Sequence, residues 1–242
     1  MRTWRGPTAA APGSPLLTPT AYGADPTGKV DASPAFAQLL AAVQARCAAT
    51  GRSMSDSIAD CGGVVVDLQG GEYLLSQPFL IPQFLGNLRI IDGTLRAAPA
   101  FPPSQFLLGV GDVPCKTPSG QGSCNENVGL SGLTLDGSHV AAGCLRIAAT
   151  MGATLDASSA IFGFSDTGIL LQGGHEAMIS ETWVAAYFWS DKEKERTNTT
   201  GISIAGNDVR ARPLLFCAIA PSLPPPPHPR TRPTHYPAHS TL

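Results

Sequence analysis

Acidic side chains at the ends of short strands are the residues of this sequence whose type and position could support proton transfer. Asp136 stands in a Leu-Asp-Gly segment and Asp166 in a Ser-Asp-Thr segment. A carboxyl group so placed can act as a general acid or base. An Asp in such a segment also caps a tight turn, and this structural role is the simpler interpretation of both residues. His175 is interpreted as a surface residue.

Six cysteines and one glycosylation sequon are the next residues with possible chemistry. Cys47 with Cys61, and Cys115 with Cys124, are the natural local disulfide pairs, and reduced, buried thiols are the alternative. No Cys-x-x-Cys spacing occurs, so zinc and thioredoxin-like sites are excluded and no metal or cofactor is expected. Asn198 heads an Asn-Thr-Thr sequon, which matters only if the chain is secreted.

Composition favours an all-β chain with many turns. Of 242 residues, 43% are apolar, only 14% are charged, and 26 are Gly and 22 are Pro. The first 209 residues carry 12 basic and 18 acidic groups, a net charge of −6, and nothing in them resembles the basic stripe of a nucleic-acid binder, so no nucleic-acid partner is expected. No run of 18 apolar residues is present, so no membrane span is expected. No signal peptide is recognisable: either the protein stays inside the cell, or this chain lacks its true start.

One amphipathic helix is predicted near the start of the chain. Ser33 is the expected N-cap, with Pro34 at the first helical position, and Gly51 ends the helix. Its apolar residues recur at helical spacing and are Phe36, Leu39, Leu40 and Val43. We expect this helix to cover the open end of the fold, since an exposed strand edge recruits other chains. An ordinary packing helix is the alternative.

After this helix, short strands recur without further helices, which predicts a right-handed parallel β-helix. Strands around Leu145, Ile169 and Ile202 follow Gly residues 24–33 positions apart, the spacing of solenoid coils. A β-sandwich is the competing architecture, but it should show two-residue hairpin signals such as Asn-Gly, and none occurs. A single chain of this kind is expected to be a monomer.

The predicted domains are a disordered segment over 1–20, the β-helix over 21–208 and a Pro-rich tail over 209–242. The tail has two interpretations: a polyproline linker, or aberrant sequence that replaces further coils. Dense mixed charge at 190–196 predicts a solvated loop that leaves the coil.

The sequence resembles the pectate-lyase-3 superfamily, the rhamnogalacturonase/epimerase-like proteins of the pectin-lyase fold. The residues that carry this resemblance are Tyr22–Gly28, Gly62–Val66 and Gly70–Leu74. Within that group, Leu133–Gly137, Ile179–Trp183 and Gly206–Asp208 are similar to the plant quartet-type polygalacturonases. The resemblance covers 20–208. It implies a secreted β-helix that hydrolyses α-1,4-galacturonosyl bonds in cell-wall pectin, although the superfamily also holds lyases and phage tail proteins.

By the same resemblance, Asp208 is the leading catalytic candidate, beside Asp136 and Asp166, and Trp183 could stack on a sugar ring. Inverting hydrolysis needs two carboxyl groups about 6.5–9.5 Å apart. The usual polygalacturonase motifs, Asn-Thr-Asp, Asp-Asp, Gly-His-Gly and Arg-Ile-Lys, are absent from this sequence. Three alternatives therefore stay open: a lyase, a wall-glycan-binding protein without catalysis, and an inactive truncated product.

Overall fold

The computed structural model describes residues 16–55, 57–117, 123–186 and 199–205, together with the strands at 209–211 and 215–216. The candidates Asp208 and Asn198, the predicted loop at 190–196 and most of the predicted tail lie outside the described residues. Of the segment over 1–20 that was predicted to be disordered, residues 1–15 also lie outside them. The prediction is wrong for the rest of that segment, because Leu16–Leu17 is a strand paired with Val65–Val66 and a 3₁₀ helix begins at Pro19. Among the described residues, no helix combines the length and the apolar character that crossing a membrane requires.

Short strands dominate the structure, with one 3₁₀ helix at Pro19–Tyr22 and one α-helix, α1, at Ser33–Ala49. The strands are, in chain order, β1 Leu16–Leu17, β2 Thr27–Asp31, β3 Ala59–Asp67, β4 Glu72–Leu75, β5 Phe79–Ile81, β6 Leu85–Ala97, β7 Phe106–Val110, β8 Asn125–Asp136, β9 Gly143–Ala148, β10 Thr150–Met151, β11 Thr154–Asp156, β12 Ala160–Phe162, β13 Thr167–Gln172, β14 Ala177–Ile179, β15 Trp183–Ala185, β16 Thr200–Ala205, β17 Val209–Ala211 and β18 Leu215–Phe216.

The described strands pair in parallel and stack into three faces, which confirms the right-handed parallel β-helix. The first face contains β1, β3, β10, β11, β14, β17 and the first halves of β6 and β8. The second face contains β2, β4, β12, β15, β18 and the second halves of β6 and β8, and the third contains β5, β7, β9, β13 and β16. Leu145, Ile169 and Ile202 lie in register on the third face, as their spacing predicted.

Two of these strands lie beyond residue 208. Val209–Ala211 pairs with β14 and Leu215–Phe216 pairs with β15, both in parallel. The stacked strands therefore extend past the boundary that the sequence analysis placed at Asp208.

Helix α1 covers the first complete coil, as predicted. Leu39 and Val43 are fully buried, and the Phe36 ring packs edge-on against Tyr73 at 5.3 Å and Phe79 at 5.0 Å. Leu40 is only half-buried at the margin of this face. The helix places its side chains on the apolar interior that a preceding coil would otherwise occupy.

The predicted N-cap is wrong in one respect. The residue at the N-cap is Ala32, and Ser33 already belongs to the helix. The Ser33 hydroxyl donates to Asp31 Oδ1 at 2.7 Å and accepts the Ser76 N–H at 2.8 Å. Ser33 therefore ties the helix start to the following coil, while the Asp31 carboxylate accepts the N–H of Ser33 at 3.0 Å.

The loop that opens the N-terminal signature is held together by the carboxylate of Asp25, which accepts backbone N–H groups. Asp25 accepts the N–H groups of Thr27, Lys29 and Val30 at 3.0, 3.2 and 3.1 Å. The Thr27 hydroxyl bond is the largest cause that lowers the pKa of Asp25. Because Lys29 and Val30 lie on the outer strand β2, Asp25 occupies hydrogen-bond donors that another chain could otherwise pair with. These hydrogen bonds of the signature thus stabilise the fold.

The disulfide between Cys47 and Cys61 joins the end of α1 to β3 across 14 residues. We expect the double variant Cys47→Ser/Cys61→Ser to lose about 2–4 kcal/mol of unfolding free energy, because the reduced chain gains loop entropy and the cap loses its covalent tie. Urea unfolding measures the loss. The matched control is Cys115→Ser/Cys124→Ser, a bridge that spans 9 residues away from the cap. Equal losses in both variants would contradict a special role for the cap.

Asp31 should make the cap sensitive to acid. Burial alone would raise the pKa of Asp31, but hydrogen bonds from Ser76 and Ser33 outweigh it and leave the pKa below its ordinary 3.8. The stabilisation by this carboxylate is thus present above pH 3.8 and is lost as the pH falls through the lowered pKa. We expect Asp31→Asn to melt lower than the parent at pH 7, with the difference shrinking below pH 3.8. Asp166→Asn, at an exposed site, is the control; a pH-independent difference for Asp31→Asn would contradict the assignment.

Candidate functional site

The outward side of the second face brings several chemically useful residues into adjacent coils. Along one row, Arg96, Asp136 and Phe162 are register neighbours. Two positions earlier in these strands, Thr94, Thr134, Ala160 and Trp183 form a second row. Coils stack about 4.8 Å apart, so the side chains within each row are close neighbours. In the second row, Thr94, Thr134 and Ala160 are small, and they lie beside the larger polar and aromatic side chains of the first row.

Asp136 is half-buried at the point where the second face turns toward the third. Its Oδ1 atom accepts the Ser138 N–H at 2.7 Å. Burial raises the pKa of Asp136 above its ordinary value, against the opposing effects of the Ser138 hydrogen bond and the nearby Arg96 and His139 charges. The carboxyl caps a turn, as its sequence context indicated, and it also holds its proton more tightly than an exposed Asp. A raised pKa is what a general acid requires.

Arg96 places a positive charge next to Asp136, and its guanidinium is held in position by two contacts. Its Nη1 atom lies 2.8 Å from Glu72 Oε1, and its Nη2 atom donates to the Gly28 carbonyl at 2.9 Å. The N-terminal signature loop thereby holds the guanidinium on the second face. Arg96 was not among the predicted site residues, because only the register of β6 against β8 places it beside Asp136. The signal available in the sequence was the alternation of polar and apolar residues at 94–97.

Asp166 lies at the far end of the turn that follows β12, and its side chain is exposed. This turn stacks on the preceding one through the bonds from His139 N to Gly163 O and from Asp166 N to Ala142 O. Asp136 and Asp166 therefore mark opposite ends of two stacked turns. His175 is exposed on the first face, where it forms a bridge with Met151.

Trp183 is half-buried on the second face, and its ring lies 6.3 Å from that of Phe162 with the planes tilted by 54°. Cys115 and Cys124 form a disulfide, as do Cys47 and Cys61. Of the described residues, no three His, Cys, Asp or Glu side chains cluster as metal ligands.

This arrangement suits a polyhydroxylated, acidic ligand better than an apolar one. A carboxyl group can accept hydroxyl hydrogens, a guanidinium can bind a carboxylate, and an aromatic face can cover a ring. The candidate site consists of Arg96, Asp136, Phe162 and Trp183 and is called the second-face site below.

The three stacked faces and the helical cap define the chain as a right-handed parallel β-helix. The chain is a homologue of the polygalacturonase QRT3 of Arabidopsis thaliana, to which it is 33% identical over 206 residues. This match covers 84% of the chain, which spans 41% of the length of that relative. It confirms the resemblance to quartet-type polygalacturonases, whereas no family model matches the sequence.

Solved structures agree on the fold alone. A Parabacteroides merdae protein assigned to the glycosyl hydrolases superposes with a TM-score of 0.55 at 14% identity, over 83% of this chain and 85% of the other. ORF18 of Geobacillus virus E2 superposes with a TM-score of 0.53 at 10% identity, over 83% of this chain and 41% of the other.

The environment of Asp136 gives a test of the site's electrostatics. Because burial raises its pKa, stability linked to this group is complete below pH 3.8 and decreases as the pH rises through the raised pKa. We expect Asp136→Asn, which keeps the bond to Ser138, to be at least as stable as the parent at pH 7, with the advantage vanishing below pH 3.8. Thermal unfolding at several pH values measures this.

Asp67→Asn is the matched control, since Asp67 Oδ1 also accepts the N–H two residues ahead, at 2.7 Å. An Asp136→Asn protein that is less stable than the parent at pH 7 but equal to it in acid would contradict the assignment.

Proposed function

We propose that the protein is a pectin-active glycoside hydrolase of polygalacturonase type, which hydrolyses α-1,4-galacturonosyl bonds in the plant cell wall. The observation that carries this proposal is the second-face site in a homologue of a polygalacturonase. The two disulfides favour an oxidising compartment and thus a secreted protein.

Each residue of the site has a role in this proposal. Asp136 protonates the leaving glycosidic oxygen, for which its raised pKa suits it. Arg96 binds a galacturonate carboxylate, and Trp183 covers a sugar ring. A second carboxylate activates the attacking water, and Asp166 and Asp208 are the proposed candidates for it.

The second candidate function is wall-glycan binding without turnover. The register neighbours of Asp136 are Arg96 and Phe162, so the adjacent coils offer a cation and an aromatic ring rather than a second carboxylate. Such a row can bind an acidic glycan without cleaving it.

Purified protein incubated with polygalacturonic acid distinguishes these functions. We expect new reducing ends, a fall in rate of about 10²–10⁴-fold in Asp136→Asn from loss of the general acid, and weaker substrate binding in Trp183→Ala. Asp67→Asn keeps the parent rate, because it makes the same substitution away from the site. Reducing-end release together with ultraviolet absorbance measures both types of cleavage.

Two outcomes would contradict the proposed hydrolase activity, and each points to a different function. Absorbance from unsaturated ends indicates a lyase. Retention on pectin without either product indicates the binding function.

A further inference from the structure

A second polar site lies around the corner from the second-face site, on the outward side of the first face. We call it the Arg89 recess, and it consists of Arg89, Gly129, Ser131, Thr154, Asp156 and Ser180. Arg89, Gly129 and Thr154 are register neighbours in three successive coils. Ser131 and Asp156 are neighbours two positions later, where the first face ends.

Arg89 is a half-buried cation that forms no ion pair with any of the described carboxylates. Between Leu88 and Ile90, which point into the core, its side chain points outward. A Cβ atom on Gly129 would lie 3.3 Å from the Arg89 Cγ and Nε atoms and 3.5 Å from Thr154 Oγ1. Because Gly129 has no side chain, the Arg89 side chain can lie across it and extend toward β11. Within the described part of the chain, this guanidinium makes no hydrogen bond or ion pair.

Asp156 carries the complementary charge and is more deeply placed. Its exposure is only 8%, and its Oδ1 atom has no hydrogen-bond partner among the described residues. A buried carboxylate oxygen without a donor is costly, so Asp156 Oδ1 needs a partner that the described residues do not supply. Nor does Asp156 lie within ion-pair distance of Arg89, so the two opposite charges stand apart on one face.

The corner at Asp156 is enlarged by one residue relative to the adjacent coils. Leu155 and Ala160 are register neighbours of Leu130 and Thr134, so five steps of chain oppose four. Ala157 takes up the difference together with Ser158, both at positive φ. An insertion of this kind redirects side chains and often accompanies binding sites.

Hydroxyl groups flank Asp156 along the stacking direction. Ser131 lies beside it in the preceding coil, and Ser180 follows Ile179, the register neighbour of Leu155, in the next coil. Both serines are more than nine-tenths buried residues. The recess therefore presents a cation at one end and an acceptor between two hydroxyls at the other, spaced by coil steps of about 4.8 Å.

We propose that the Arg89 recess is a second carbohydrate-binding site, which takes an acidic sugar. The guanidinium and Thr154 bind the sugar carboxylate, and Asp156 with its serines binds ring hydroxyls. A simple anion would gain from Arg89 but not from Asp156, and a metal cation would gain from Asp156 but not from Arg89. A hexuronate satisfies both ends. The choice of galacturonate as the sugar rests on the proposed function.

Digalacturonate is the probe, and galactobiose, which lacks carboxylates, is the ligand control. We expect digalacturonate to slow amide hydrogen exchange over residues 154–159 in the wild type and in Trp183→Ala. Arg89→Gln should abolish this protection and weaken calorimetric binding at this site at least tenfold, and Asp156→Asn should weaken it several-fold. Arg146→Gln is the matched control: it removes an arginine on the third face, paired with Asp112 at 2.9 Å, and should keep the protection.

The inference is overturned if the wild type shows no protection over 154–159, if galactobiose protects equally, or if Arg89→Gln protects as the wild type does. Asp156→Asn that gains stability without losing affinity would also overturn it, because the carboxylate would then contact no ligand. Protection without release of reducing ends would leave this inference standing while the proposed function fails. Release of reducing ends without protection over 154–159 would overturn this inference while the proposed function stands.

Discussion

The stacking of parallel strands requires that the exposed end of the stack be covered, and the rest of the structure depends on how this is done. Each coil satisfies its backbone hydrogen bonds and its apolar interior through the coils on both sides, so the first coil needs a substitute for a missing neighbour. Helix α1 supplies the apolar part with Phe36, Leu39 and Val43. Asp25 and Asp31 supply the polar part by accepting backbone N–H groups at the outer edge and at the helix start.

The same stacking creates the candidate site. A residue of one coil meets its register neighbour in the next, so Arg96 and Asp136, 40 positions apart, become adjacent. The signature loop then contributes to the site, because the Gly28 carbonyl and Glu72 hold the Arg96 guanidinium. Capping the fold and shaping the second-face site are consequently not independent tasks.

Acidic residues that occupy similar positions in the sequence differ in how deeply the structure buries them. Asp136 and Asp166 both stand in turns next to strands, yet the pKa of Asp136 is raised by burial, whereas Asp166 is an exposed turn residue. Asp156, an ordinary strand residue by sequence, lies deep in a corner, where one of its oxygens has no hydrogen-bond partner in the part of the chain that the structure describes. These environments, and not the residue type, distinguish the three carboxyl groups.

From the sequence alone, the architecture, the capping helix and the in-register strands at Leu145, Ile169 and Ile202 were predictable, because they follow from local signals: apolar periodicity, glycine punctuation and a repeated strand interval. The N-cap was misassigned since Ser33 is recruited by Ser76, a partner 43 residues away that no local pattern announces. Arg96 beside Asp136, and Arg89 across Gly129 from Thr154, were likewise decided only by the tertiary structure. Coil lengths vary through turns of different size, so the register that brings such side chains together is set when the coils stack and bury their shared core.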